Sequence, residues 1–196
     1  MRLRLLLVAI ALCAIAYPIV RAFQHVGSPG YPTDYVAALK THTGVPVESA
    51  HFEPFIGFVT HMSAPDWEAH LEPVYADNLH FSDTLAVLDD RAALHRYFEQ
   101  LHRAGTRTEV EILSRHASGQ DGYLVWRMTS TFKPLNTERT SHSIGVTHLR
   151  FNEQGRVILH QDFWDAAQGF YRHIPGLGGV IDGIRNRLGP GADETG

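Results

Sequence analysis

Cysteine is almost absent from this chain: Cys13 is the only one in 196 residues. No internal disulfide can form, and a thiol nucleophile would have to lie inside an apolar N-terminal run. A basic excess is also missing. The formal net charge is −4, which lacks the cationic footprint of a nucleic-acid binder, so no nucleic-acid partner is expected. The 13 histidines are scattered, with no HExxH and no clustered His/Cys spacing, so no metal is expected. There is no glycine-rich phosphate loop, no G-x-S-x-G elbow and no dinucleotide fingerprint, and no cofactor is expected.

Long apolar runs are confined to the start. Arg2 and Arg4 precede an uncharged stretch from Leu5 to Val20, and basic residues ahead of such a stretch keep the N-terminus cytoplasmic. Its length lies between a signal-peptide core and the roughly 20 residues of a comfortable span. Residues 1–23 therefore read as a hydrophobic leader helix, either a signal anchor or a signal peptide. Ala14-Ile15-Ala16 offers a small-x-small cleavage site, and Ile10-Ala11-Leu12-Cys13 is a lipoprotein box weakened by the bulk of Leu12. Each reading puts the globular part outside the cytoplasm: membrane-anchored, or secreted or periplasmic if the leader is cleaved.

Apolar residues are plentiful enough to fold the remainder, since they make up 44% of the whole chain and supply one core. Residues 24–50 turn to Gly, Pro, Ser, Thr and His and read as a tether. A domain spans 51–188, and 189–196 reads as a disordered tail. Within the domain, Phe52, Phe55, Ile56 and Val59 have helical spacing. Asp66 opens a second helix, WEAHLEPVYADN, with Trp67, Leu71, Val74 and Tyr75 as its buried stripe and a bend at Pro73. Leu79–Ser82 and Thr84–Leu88 are brief extended pieces. Asp89 and Asp90 then cap a third helix, buried along Leu94, Tyr97, Phe98 and Leu101 and ended by Gly105.

From Arg107 the hydrophobic period changes to 2, with turns at Gly119–Gly122 and Asn152–Gly155. Four successive antiparallel strands after three helices make an α+β domain with helices on one face of a curved sheet. The last strand, Arg156–Asp165, is the unusual one. Strict alternation places Ile158, His160, Asp162 and Trp164 on one face, and Val157, Leu159, Phe163 and Asp165 on a second face that is apolar near its middle. Toward the C-terminus, Leu177, Ile181, Ile184 and Leu188 line one side of a helix that either packs on the domain or grazes a membrane.

Two motifs carry a resemblance. Tyr75-Ala76-Asp77-Asn78-Leu79-His80-Phe81-Ser82-Asp83 is similar to an aromatic-x-D-x-x-x-F-x-D segment. Ser143–Phe151, a turn, and Val157–Asp165 are similar to a closing hairpin ending in D-aromatic-W-D. In this order and spacing they resemble the SnoaL-like branch of the nuclear transport factor 2-like superfamily. The resemblance implies a cone: a strongly curved antiparallel sheet wrapped around three N-terminal helices, with a pocket at one end. It places Asp83 where the related ketosteroid isomerases carry their base. The oxyanion donors of that branch fall at Thr147 and near Phe58 or Val59, so ketosteroid isomerisation is disfavoured. The Asp-Arg-Asp arrangement of limonene epoxide hydrolases has Arg127 and Asp162 nearby in sequence, but Arg127 should point away from the face of Trp126, Met128 and Ser130.

Carried onto this sequence, the concave face holds Asp162 and His160 as acid/base candidates with Asp83. Tyr75, Trp126, Met128, Ser130, Thr147, Leu149, Phe151 and Trp164 form a ligand-binding wall suited to a small apolar or polycyclic molecule. The plainer reading of each stands beside this. Asp162 is then a bonded core carboxylate with His160 as its partner, Asp83 is a turn former, and the tryptophans are core. Two functions remain open: a cofactor-independent isomerase, hydratase or hydrolase, or a non-catalytic scaffold that forms a homodimer through the outer sheet face or docks a membrane protein.

Overall fold

The structure, a computed structural model, describes residues 31–188. The leader, the first part of the tether and the tail lie outside the described residues. Among the described residues no helix is long and apolar enough to cross a membrane.

The elements in chain order are α1 (Tyr31–Thr41), α2 (Ser49–His61), α3 (Trp67–Leu71), β1 (Tyr75–Ser82), β2 (Val87–Asp90), α4 (Arg91–Arg103), β3 (Arg107–Ser118), β4 (Asp121–Phe132), β5 (Arg139–Phe151), β6 (Val157–Trp164), α5 (Ala166–Gly169) and α6 (Leu177–Leu188). The fold is α+β. One curved, open sheet of six strands runs β2-β1-β6-β5-β4-β3. The two brief extended pieces join the four later strands as β1 and β2; the difference from expectation is that β1 lies parallel to β6 while every other neighbouring pair is antiparallel.

The second helix is shorter than its stripe suggests. It stops at Leu71, and β1 starts at Tyr75. Pro73 cannot donate to a helical ladder and its ring crowds the preceding turn. Val74 and Tyr75 are buried as expected, at 2% and 0% exposure, but through a sheet: Val157 N donates to the Val74 carbonyl at 2.8 Å, and Tyr75 pairs with Val157. By contrast α4 begins and ends where the sequence places it. Asp90 accepts from Ala93 N at 2.6 Å as N-cap, and Gly105 takes φ +72° just after the helix.

The core lies between α2, α3 and α4 and the inner face of the sheet. Phe52, Phe55 and Phe58 descend from α2 onto Tyr75, Phe81, Leu124, Leu149 and Phe151. Each such buried side chain contributes about 1.5–3 kcal/mol, so this aromatic layer fixes how α2 crosses the strands.

Strict alternation fails once in β6. Arg150 pairs with Leu159, but Phe151 pairs with Val157, so Ile158 is an extra, bulged residue. Val157 therefore joins the core rather than the outer face. The outer face is also not apolar in its middle: Gln161 is fully buried there and bonds the Ser82 hydroxyl and His80, each at 3.2 Å.

Residues read as tether contribute to that outer face from Tyr35 onward. The Tyr35 hydroxyl meets His148 Nδ1 at 2.9 Å. Arg150 donates to the carbonyls of Leu39 and His42 at 2.8 and 3.1 Å, and Val45 N donates to the Phe151 carbonyl at 2.9 Å. The compact unit accordingly begins at Tyr35, and part of the surface considered for a homodimer is covered by the chain's own α1. At the other end α6 leaves Val180, Ile184 and Leu188 exposed at 56%, 54% and 81%.

Candidate active site

The inner faces of β4, β5 and β6 build a directed chain of hydrogen bonds. Trp126 Nε1 donates to Thr147 Oγ1 at 2.8 Å. The Thr147 hydroxyl donates to Asp162 Oδ1 at 2.5 Å. His160 Nε2 lies 3.0 Å from that same oxygen, and His160 Nδ1 lies 2.9 Å from the Tyr75 hydroxyl. An indole only donates and a carboxylate only accepts, so the directions follow: His160 carries its hydrogen on Nε2, and Nδ1 accepts from Tyr75. Burial first, then the charges of Asp162 and Asp83, hold the Tyr75 phenol well above its ordinary pKa, so it remains a donor.

Local sequence explains the placement. Thr147 and Asp162 are register partners across β5 and β6. Trp126 faces Gly145, where an added Cβ would lie 2.4 Å from the indole Cζ2, so the missing side chain gives the ring its place. Gly169 does the same for Trp164, with 2.4 Å to Cζ3. His160 is held between aromatic rings, edge-on to Phe81 and Phe55 with centroids at 4.7 and 5.3 Å.

This chain of bonds borders a cavity of about 180 Å³. Asp83, His160, Asp162, Tyr75, Trp126 and Thr147 reach it, as do Met128, Ser130 and Trp164. Leu149 and Phe151 do not. Both are fully buried in the core, where Phe151 stacks on His51 and meets Phe52 edge-on. They lie beyond the part of the sheet that the helices leave open. Thr147 touches the cavity, but its hydroxyl is committed to Asp162. Arg127 pairs with Glu111 at the surface and does not join Asp162.

The two carboxylates differ. Asp162 Oδ1 takes both donors, Thr147 and His160, while no described residue bonds Oδ2, and the side chain lines the cavity. Asp83 is occupied on both oxygens: Oδ1 accepts from the backbone of Leu85 and Ala86 at 2.9 and 2.8 Å, and Oδ2 from the Tyr97 hydroxyl at 2.5 Å. Burial raises the Asp83 pKa. The Tyr97 and Ala86 hydrogen bonds oppose that rise, and the charge of Asp162 adds to it.

Sequence reasoning placed Tyr97 only in the core stripe of its helix. The signal was a hydroxyl among aliphatic and phenyl neighbours, since a buried phenol requires a polar partner. Phe55 and Val59, read from the sequence as the stripe of the first domain helix, also line the cavity, as do Met62 and Phe170, which were not singled out. Among the described residues no group of three or more His, Cys, Asp or Glu could hold a metal.

The SnoaL-like domain family model matches residues 55–160, from α2 to the middle of β6. No curated protein matches the sequence significantly. A protein assigned as a SnoaL-like polyketide cyclase from Shewanella denitrificans OS-217 superposes with a TM-score of 0.53 at 12% identity, over 62% of this chain and 94% of that one. One from Jannaschia sp. CCS1, also assigned as a SnoaL-like polyketide cyclase, gives 0.53 at 14%, over 64% and 92%. TsrD from Streptomyces laurentii gives 0.51 at 9%, over 62% and 93%. At these identities the likeness is one of fold.

Proposed function

The chain belongs to the SnoaL-like domain family, and from that premise we propose that its cavity binds a small neutral apolar molecule and acts on it by cofactor-independent acid–base chemistry. The observation that carries this reading is Asp162: one oxygen is anchored by Thr147 and His160, and the other has no partner among the described residues, on a carboxylate that borders an apolar cavity. Anchoring one oxygen fixes the aim of the second, as a general base requires. His160 and Tyr75 act behind Asp162 as positioning residues.

Cavity size narrows the ligand. At about 180 Å³ it is close to the engineered cavities of roughly 150 Å³ that admit benzene. A single ring or short chain fits better than a fused polycycle. Isomerisation, hydration and hydrolysis all start with proton removal from carbon or water, so Asp162 serves any of them. The leader would tether the domain to the envelope, outside the cytoplasm.

Native mass spectrometry of the protein purified from its host should show a retained small molecule. On that molecule Asp162→Asn should lower kcat about 100-fold or more, with little change in melting temperature, because an amide oxygen still accepts from Thr147 and His160. Unchanged turnover would end the proposed role. The scaffold reading draws on the exposed apolar residues of α6; it predicts no retained molecule and a partner or second copy bound through that helix. Cell fractionation separates an anchored from a released domain.

A further inference from the structure

We infer that Tyr97 is the hydrogen-bond donor to a ligand oxygen in this cavity, with Asp83 behind it as proton store and Asp162 across from it as base. The inference rests on the acid–base reading of Asp162 and names the group that completes it. The position matched to the base of the ketosteroid isomerases would then serve on the acid side, and the last strand would supply the base.

Tyr97 lines the cavity from α4, and its hydroxyl is 2.5 Å from Asp83 Oδ2. Asp83 Oδ1 already accepts two backbone N–H groups, so a proton on Asp83 belongs on Oδ2. There its partner is the Tyr97 oxygen. In that state Asp83 donates to Tyr97, and the phenol hydrogen is released toward the cavity. With Asp83 ionised the phenol must donate to the carboxylate instead, and the cavity loses its donor.

The surroundings favour the first state. The titratable groups around the cavity are Tyr97 from α4, Tyr75 from β1, and His160 and Asp162 from β6; no Lys or Arg is among its lining residues. Burial and the charge of Asp162 both push Asp83 toward its protonated form. The loop that presents Asp83 is also under constraint. Thr84, a β-branched residue, sits at φ +71° with its buried Oγ1 unpartnered among the described residues. Trp164 Nε1 holds the Asp83 carbonyl at 2.8 Å.

The step balances for a carbonyl ligand. Asp162 Oδ2 takes a proton from the carbon beside the carbonyl, the C–H pair becomes a C=C bond, and the carbonyl π pair moves to oxygen. Tyr97 gives that oxygen its proton and receives the one on Asp83. In a ligand with a C=C bond beyond that carbon, the dienol takes the proton of Asp162 at its far carbon, and return of the enol proton through Tyr97 to Asp83 restores Asp162 as base and Asp83 as acid, with no net proton gained or lost.

The test compares cyclohexanone with methylenecyclohexane, which have the same shape with and without the oxygen. Affinities are read from the indole N–H signals of Trp126 and Trp164 by NMR, on the full-length chain. Wild type and variants share one detergent, so that partitioning cancels. At an acidic pH the wild type should prefer the ketone about fivefold or more, and at an alkaline pH, past the raised value of Asp83, the preference should fade. Tyr97→Phe should abolish it at both pH values, with hydrocarbon affinity and melting temperature kept as the check on folding. Asp83→Asn should keep it at both, because the amide N–H mimics the protonated acid. A preference that survives Tyr97→Phe, is lost in Asp83→Asn, or is absent from the wild type overturns the inference while leaving a ligand cavity in place. Failure of both compounds to shift either indole overturns the cavity reading as well.

Discussion

Thr147 and Asp162 stand opposite each other on β5 and β6, and the threonine hydroxyl donates to Asp162 Oδ1 at 2.5 Å while accepting the Trp126 indole N–H at 2.8 Å. One small side chain thus orients both the proposed base and one wall of its cavity.

Thr147→Val keeps the shape and removes both bonds. The buried indole N–H and one carboxylate oxygen lose their partner, so urea unfolding should show a loss of about 1–3 kcal/mol. Thr147→Ser should recover most of it. Equal stability of the valine variant and the wild type would show that the chain of bonds is not formed.

Asp83 makes stability depend on pH in a definite direction. Its pKa is raised from 3.8, first by burial, so the folded state holds a proton that the unfolded state releases over the interval between the two values. There the unfolded state binds fewer protons, and stability falls as pH rises. The contribution is fully present below the unfolded carboxylate range, about pH 4, and is lost as pH passes the raised value. Asp83→Asn should therefore gain stability relative to wild type as pH rises. The check is urea unfolding of both proteins at several pH values; a constant difference between them would contradict it.

Gly145→Ala should displace Trp126. The new Cβ would lie 2.4 Å from the indole Cζ2 and 3.0 Å from the Phe163 carbonyl oxygen, and neither strand can retreat without breaking its ladder. Overpacking of this kind costs about 1–3 kcal/mol. The variant should melt earlier, and its Trp126 indole N–H signal should shift in NMR.

On the outer face Arg150, 6% exposed, donates from Nε to Asp121 at 2.6 Å and to the carbonyls at the end of α1. Burial opposes ionisation of Asp121, but Arg150 and His148 outweigh it and hold its pKa below the usual carboxylate value. Arg150→Met should destabilise the fold by about 1–3 kcal/mol, because the carbonyls of Leu39 and His42 and the partly exposed Asp121 carboxylate lose their donor. Hydrogen exchange should rise first in Tyr35–Thr41. Unaltered protection there would mean that α1 is held by other contacts.

Chain chemistry alone determined the α+β class, the helix ends at Asp90 and Gly105, and the face shared by His160, Asp162 and Trp164, because capping, turn chemistry and the period of 2 act over neighbouring residues. Tertiary structure decided the rest. Pro73 and pairing with β6 turned the end of an apparent helix into β1, and the bulge at Ile158 moved Val157 to the other face. Leu149 and Phe151 went to the core because α2 covers their end of the sheet. The separation of the two carboxylates was beyond sequence reasoning for the same cause: Asp162 keeps an oxygen free and Asp83 does not, because Tyr97, 14 residues from Asp83 along the chain, reaches its Oδ2 only when α4 folds back against β1.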